Sequence, residues 1–108
     1  MASTKEFAEF VCDQIRGCGE LRSRKMFGEY MMYVNGKPLL MICDNTVYVK
    51  MLPETEALLG GGATGRPYEG AREHYILDIE DREKALDIIA ALEPVTPLPV
   101  KKNRRKIK

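Results

Sequence analysis

The sequence predicts a small α+β domain, two-layered, with an antiparallel sheet of four to five strands and helices packed on it. Three observations predict this. Segments with apolar residues at helical spacing lie near both ends of the chain. Between them, apolar runs are separated by Asn35-Gly36 and Asp44-Asn45, residue pairs suited to tight turns. A length of 108 residues, 44% hydrophobic and 31% charged, suits a single core.

Ser3 with Glu6 forms a capping box, and Phe7, Phe10, Val11 and Ile15 then fall on one stripe, so a first helix is predicted over residues 3–17, ended by Gly17. Asn35-Gly36 sets a hairpin between strands at about 25–34 and 37–43, and Asp44-Asn45 a second turn into a strand from Thr46 to Met51. Two-residue turns fix the register. On that register Phe27, Met31, Leu40, Ile42, Val47 and Val49 form the core face. The other face collects Gly28, Tyr30, Met32, Leu39, Met41, Cys43, Thr46, Tyr48 and Lys50. Tyr30, Met32, Leu39, Met41 and Tyr48 would then cluster on an apolar patch of the kind that marks a partner, and they are the predicted interface residues.

Pro53-Glu54 opens a short helix that ends at the glycines after residue 59. The run "GGGATG" reads as a flexible loop, since it lacks the G-K-[ST] ending of a phosphate loop and precedes no long helix. "REHYILDI" alternates as a strand with Tyr75, Leu77 and Ile79 on one side. Asp81 caps a last helix with Ala85, Ile88, Ile89 and Leu92 buried. The domain is thus predicted over residues 1–93, and residues 94–108 as an extended, Pro-containing basic tail.

Charge is unevenly distributed. The tail holds Lys101, Lys102, Arg104, Arg105, Lys106 and Lys108; removing these six from 17 basic residues leaves 11 against 16 acidic ones, a formal −5 for residues 1–100. The six cations are candidate phosphate contacts for sequence-independent nucleic-acid binding. Arg22, Arg24 and Lys25 form a second basic spot, which on a sheet edge also discourages aggregation. No apolar run reaches bilayer length and the N-terminus lacks a leader pattern, so a cytoplasmic protein without membrane contact is expected.

No catalytic constellation is legible. His74 is the single histidine, and no nucleophile, acid or second ligand is identifiable beside it. Cys12, Cys18 and Cys43 have no C-x-x-C spacing and read as buried thiols. Neither a metal nor a cofactor is expected, and an enzyme is the least favoured reading.

The stretch "RKMFGEYMMYVNGK" resembles the R-x-MFGGYG-x-Y-x-x-G-K pattern of the TfoX (Sxy) family of bacterial competence regulators, in their N-terminal domain. "DNTVYVK" is similar to its D-x-LYLK strand, and Arg66-Pro67-Tyr68, Gly70 and His74-Tyr75 to its P-F-x-Y and YY segments. The likeness covers about residues 5–92. Glu29 and Met31 stand where the pattern has glycines, and Asp78-Ile79-Glu80 replaces a Val-Pro. The helical C-terminal domain of full-length regulators is expected to be absent. The resemblance implies a secretion-chaperone-like architecture, a short extra strand near residues 67–70, and a stand-alone regulatory module. Such a module would act through a homodimer or a protein partner, the alternative being a transcription-related regulator that holds nucleic acid through its tail.

Overall fold

The computed structural model describes residues 3–26 and 29–98. Phe27, Gly28 and the six basic residues of the tail lie outside them, and with them the core position expected for Phe27 and the phosphate contacts expected of the tail. The described chain runs α1 (Lys5–Gln14), β1 (Leu21–Met26), β2 (Glu29–Val34), β3 (Lys37–Cys43), β4 (Thr46–Val49), α2 (Pro53–Leu59), β5 (Thr64–Gly65), β6 (His74–Leu77) and α3 (Arg82–Leu92), followed by one 3-10 turn (Glu93–Val95). The fold is α+β, with an open antiparallel sheet of order β1-β2-β3-β4-β6-β5.

The sheet has six strands where four to five were expected. The first predicted strand is two: β1 pairs back on β2, with Met26 opposite Glu29. The extra short strand is Thr64–Gly65 rather than residues 67–70. Helix α1 is shorter than predicted, because Thr4 caps it by accepting the Phe7 N–H at 3.1 Å. The Ser3 hydroxyl is used elsewhere, donating to Glu29 Oε1 at 2.8 Å and accepting the Asn45 N–H at 3.0 Å. The buried stripe of α1 is Ala8, Val11 and Ile15, with Phe7 half-buried beside it and Phe10 left 39% exposed.

Both turns form as the sequence requires. Asn35 (φ 53°) and Gly36 (φ 81°), then Asp44 and Asn45 (φ 52° each), take the left-handed backbone of a type I′ hairpin. The Asn35 side chain also accepts the Glu20 N–H at 2.9 Å, which fastens the hairpin tip to the loop before β1. A Cβ on Gly19 would lie 2.7 Å from the same Asn35 oxygen, so this contact requires glycine.

The register beyond the first turn differs from the expected one. Val34 faces Lys37 and Tyr33 faces Pro38, but Met32 faces Leu40, leaving Leu39 as an extra residue in β3. This is a β-bulge, next to a proline that has no N–H to give the ladder. A one-residue slip exchanges the faces of β2 below the bulge. Met32 and Leu39, expected on the uncovered face, are buried in the core, and Tyr30 pairs with Ile42 and packs against that core. Met31, expected in the core, moves to the other face opposite Met41. Met32 sits under α1, with Cys12 Sγ 3.5 Å from its sulfur.

The core is therefore Met32, Val34, Leu40, Ile42, Val47, Val49, Tyr75 and Leu77 from the sheet, roofed by Val11 and Ile15 of α1 and by Ala85, Ile88, Ile89 and Leu92 of α3. Asp81 caps α3 by accepting the Lys84 N–H at 3.1 Å. Fully buried Thr55 ties α2 to β4, accepting the Leu52 N–H at 2.8 Å and donating to the Lys50 carbonyl at 2.7 Å. Gln14 donates to the Ile79 carbonyl at 2.8 Å, locking α1 to the segment that leads into α3.

The bulge makes neighbouring methionines unequal. Met32→Ala should lower unfolding free energy by about 2–5 kcal/mol through cavity formation, and Met31→Ala by less than about 1 kcal/mol. Urea denaturation of the two variants measures the difference.

Candidate functional site: the uncovered sheet face

Because neighbouring residues of a strand point to opposite sides, the observed register assembles a transverse row on the face away from the helices. Arg24, Met31, Met41, Tyr48 and Ile76 pair one to the next across five strands. The four apolar members are half-buried and Arg24 is exposed. Flanking them are Arg22 and Tyr33, a directly opposed pair, and His74 opposite Gly65. Of the predicted interface residues, Met41 and Tyr48 lie on this face, Met32 and Leu39 are buried in the core with Leu39 bordering a hollow of the face from below, and Tyr30, on the core side of β2, borders the pocket at its end.

At one end the face deepens into a pocket of about 570 Å³ lined by Met26, Glu29, Tyr30, Met31, Met41, Cys43 and Tyr68. Strand β5 stands at the edge opposite β1, yet Tyr68, three residues after it, lines the same pocket as Met26 of β1. The chain after β5 therefore turns back toward the pocket end of the face, with Tyr68 60% exposed at the mouth. A shallower hollow of about 130 Å³ continues the pocket over Met31, Pro38, Met41, Tyr48 and His74.

One carboxylate organises the end of the pocket. Glu29 Oε1 accepts the Ser3 N–H (3.2 Å), the Ser3 hydroxyl (2.8 Å) and the Asp44 N–H (3.1 Å). Thr4 N–H donates to Asn45 Oδ1 at 2.9 Å, so the start of α1 and the β3–β4 turn are laced together around Glu29. Burial, and secondarily the Glu29 charge, push the Cys43 thiol up to about 11. Burial also raises the Cys12 and Cys18 thiols and the Tyr48 phenol. All three cysteines are free, and thiols held protonated are poor nucleophiles.

His74 is engaged locally, its Nδ1 2.7 Å from the Arg72 carbonyl and its ring edge-on to Tyr48 at 6.5 Å between centroids. Among the described residues no three His, Cys, Asp or Glu side chains gather as a metal site. No helix among them is long and apolar enough to cross a membrane. On the edge strand β1, Arg22, Arg24 and Lys25 are all exposed. The alternation argument missed Met31, Ile76, Met26, Glu29 and Tyr68. Pro38 inside a strand was the available signal for Met31, since it marks a bulge, and Ile76 follows from the alternation of β6 on the side away from Tyr75 and Leu77, whereas Tyr68 depends on a loop path that no periodicity encodes.

Comparison with known proteins adds two findings. Residues 13–86 match a family model described as the TfoX N-terminal domain. A protein of Spirochaeta aurantia, described as an uncharacterized 12.7 kDa protein in the trpE 5′ region, is 30% identical over 101 residues, covering 92% of this chain and 88% of that protein.

The raised thiol gives a direct check on the pocket's electrostatics. Raising a thiol from its ordinary 9.0 to about 11 cuts its thiolate fraction at pH 8 about a hundredfold. Cys43 should therefore react with Ellman's reagent at least that much more slowly in the native protein than in urea, with its modification located by peptide mass spectrometry.

Proposed function

The chain belongs to the TfoX N-terminal domain family, a competence-regulator-like domain, and from that premise we propose that it is a cytoplasmic, non-catalytic regulatory module working by protein contact through its uncovered sheet face. The observation that carries this reading is the row Met31, Met41, Tyr48 and Ile76, half-buried, contiguous and without a helix over it. Apolar surface of this kind is stabilised when a second surface removes it from water, at roughly 25 cal/mol per Å² buried. Methionines suit the role because their unbranched, polarizable side chains adapt to a partner's shape.

The partner proposed first is a second copy of the chain. An antiparallel sheet with one covered and one apolar face completes a sandwich by pairing that face with itself, and a twofold contact needs only one such surface. Light scattering coupled to size exclusion at high micromolar concentration should give twice the chain mass. Met41→Asp should halve it and lose the rise of the urea midpoint with protein concentration that a dimer shows. A wild-type monomer, with the variant equally stable, would overturn the homodimer.

A second reading rests on charge. Six cations in the last eight residues, with Arg22, Arg24 and Lys25 exposed on β1, favour phosphate contact by a nucleic-acid-associated regulator. Binding through six phosphates should weaken about a thousandfold between 50 and 200 mM salt. Filter binding of a DNA duplex by the full chain and by a chain ending at Pro99 measures this; burial of the methionine face would show no such salt dependence.

A further inference from the structure

We propose that the pocket between Tyr68 and the paired methionines Met31 and Met41 binds a small molecule that joins an apolar body to one amine-type cation. This goes beyond the protein-contact reading, because a ligand of that size fits the pocket whether or not a second chain covers the rest of the face. The volume of about 570 Å³ lies within the range of small-molecule sites. Its lining is almost wholly apolar, with the single carboxylate of Glu29 at one end. Such sites take their affinity from the apolar walls and their selectivity from the few polar groups they hold.

Among the described residues this polar group is fixed by hydrogen bonds and pairs with no cation. The three hydrogen bonds to the Glu29 carboxylate all fall on Oε1, from Ser3 and Asp44. Among the described residues Oε2 accepts no hydrogen bond, and neither ion pair includes Glu29. The donors described for this carboxylate are neutral, and it faces the pocket lining. Its effect is visible at Cys43, whose thiol is raised by burial and further by the carboxylate's charge. Burial, the larger cause, opposes a charge of either sign, so the preference for a cation over an anion comes from the Glu29 carboxylate, to which a ligand ammonium gives a charge-assisted hydrogen bond. Tyr68 at the mouth adds a ring face to which an organic cation is attracted.

The test uses three probes with one apolar body and different heads: 4-phenylbutylamine, 4-phenylbutanol and 4-phenylbutyrate. Each is titrated into the full chain carrying methyl-labelled methionine, followed by NMR. The methyl signals of Met26, Met31 and Met41 should move, while those of Met32, buried under α1, and of Met51, outside the pocket lining, should stay. The amine should bind roughly tenfold more tightly than the alcohol, the gain of a hydrogen bond to a charged group, and the carboxylate more weakly than either. Glu29→Gln keeps an oxygen for Ser3 and Asp44 and should abolish the amine preference without abolishing the methionine shifts. Should that variant lose the native Met32 signal, Met31→Lys provides the second reading, since a cation on the pocket floor should reverse the preference toward the carboxylate. Equal affinity for the three probes, tighter binding of the carboxylate by the wild-type chain, no movement of Met31 and Met41, or an amine preference that survives these substitutions would overturn the proposal. The two readings fail separately: absence of amine binding leaves the chain mass unaffected, and a monomeric chain still presents the pocket.

Discussion

What β2 contributes to the uncovered face depends on one unpaired residue in β3. Leu39 is the extra member of a bulge whose neighbour, Pro38, has no N–H for the ladder. Below it, β2 is shifted by one residue against β3, and the side chains of β2 exchange faces. The energetic reason lies in Glu29. An unbulged ladder from the Asn35-Gly36 turn would set Glu29 opposite Ile42, on the face roofed by α1 and α3. Burying a carboxylate there without a partner costs several kcal/mol at least. The bulge puts Tyr30 opposite Ile42 instead and sends Glu29 to the sheet end, where Ser3 and Asp44 bond it.

Local structure, packing and surface chemistry are linked through that shift. Met32 and Leu39 go into the core, Met31 comes out beside Met41, and the row from Arg24 to Ile76 becomes continuous. The same geometry sets a carboxylate and an apolar trough side by side. Tyr68, returning from the far edge of the sheet, completes a site with both walls and a charge. A helix lying on this face would have left no site, and an unbulged sheet would have put Met31 in the core.

Much of the fold was legible because its determinants are local. Asn35-Gly36 and Asp44-Asn45 tolerate the positive φ that type I′ turns demand, and Asp81 with the Ala85, Ile88, Ile89, Leu92 stripe specifies α3. Strands β4 and β6, and β3 beyond Leu39, kept their expected faces, as buried Leu40, Ile42, Val47, Val49, Tyr75 and Leu77 show. What alternation could not supply was non-local. The division of β1 from β2, the two-residue β5 and the path of Tyr68 depend on pairing and loop course rather than on pattern. The bulge is an intermediate case: Pro38 within a strand and an acidic residue assigned opposite Ile42 were both readable, and together they argue for the shift.

The account stands on which methionine faces water. Partial oxidation of the native chain with hydrogen peroxide, quantified residue by residue by peptide mass spectrometry, tests this most directly, because thioether oxidation follows exposure when the chemistry is identical. The structure predicts that Met31 and Met41 oxidise well ahead of Met32, which is fully buried. Oxidation of Met32 at the rate of Met41 with Met31 protected would restore the unbulged register, and the uncovered face described above would no longer exist.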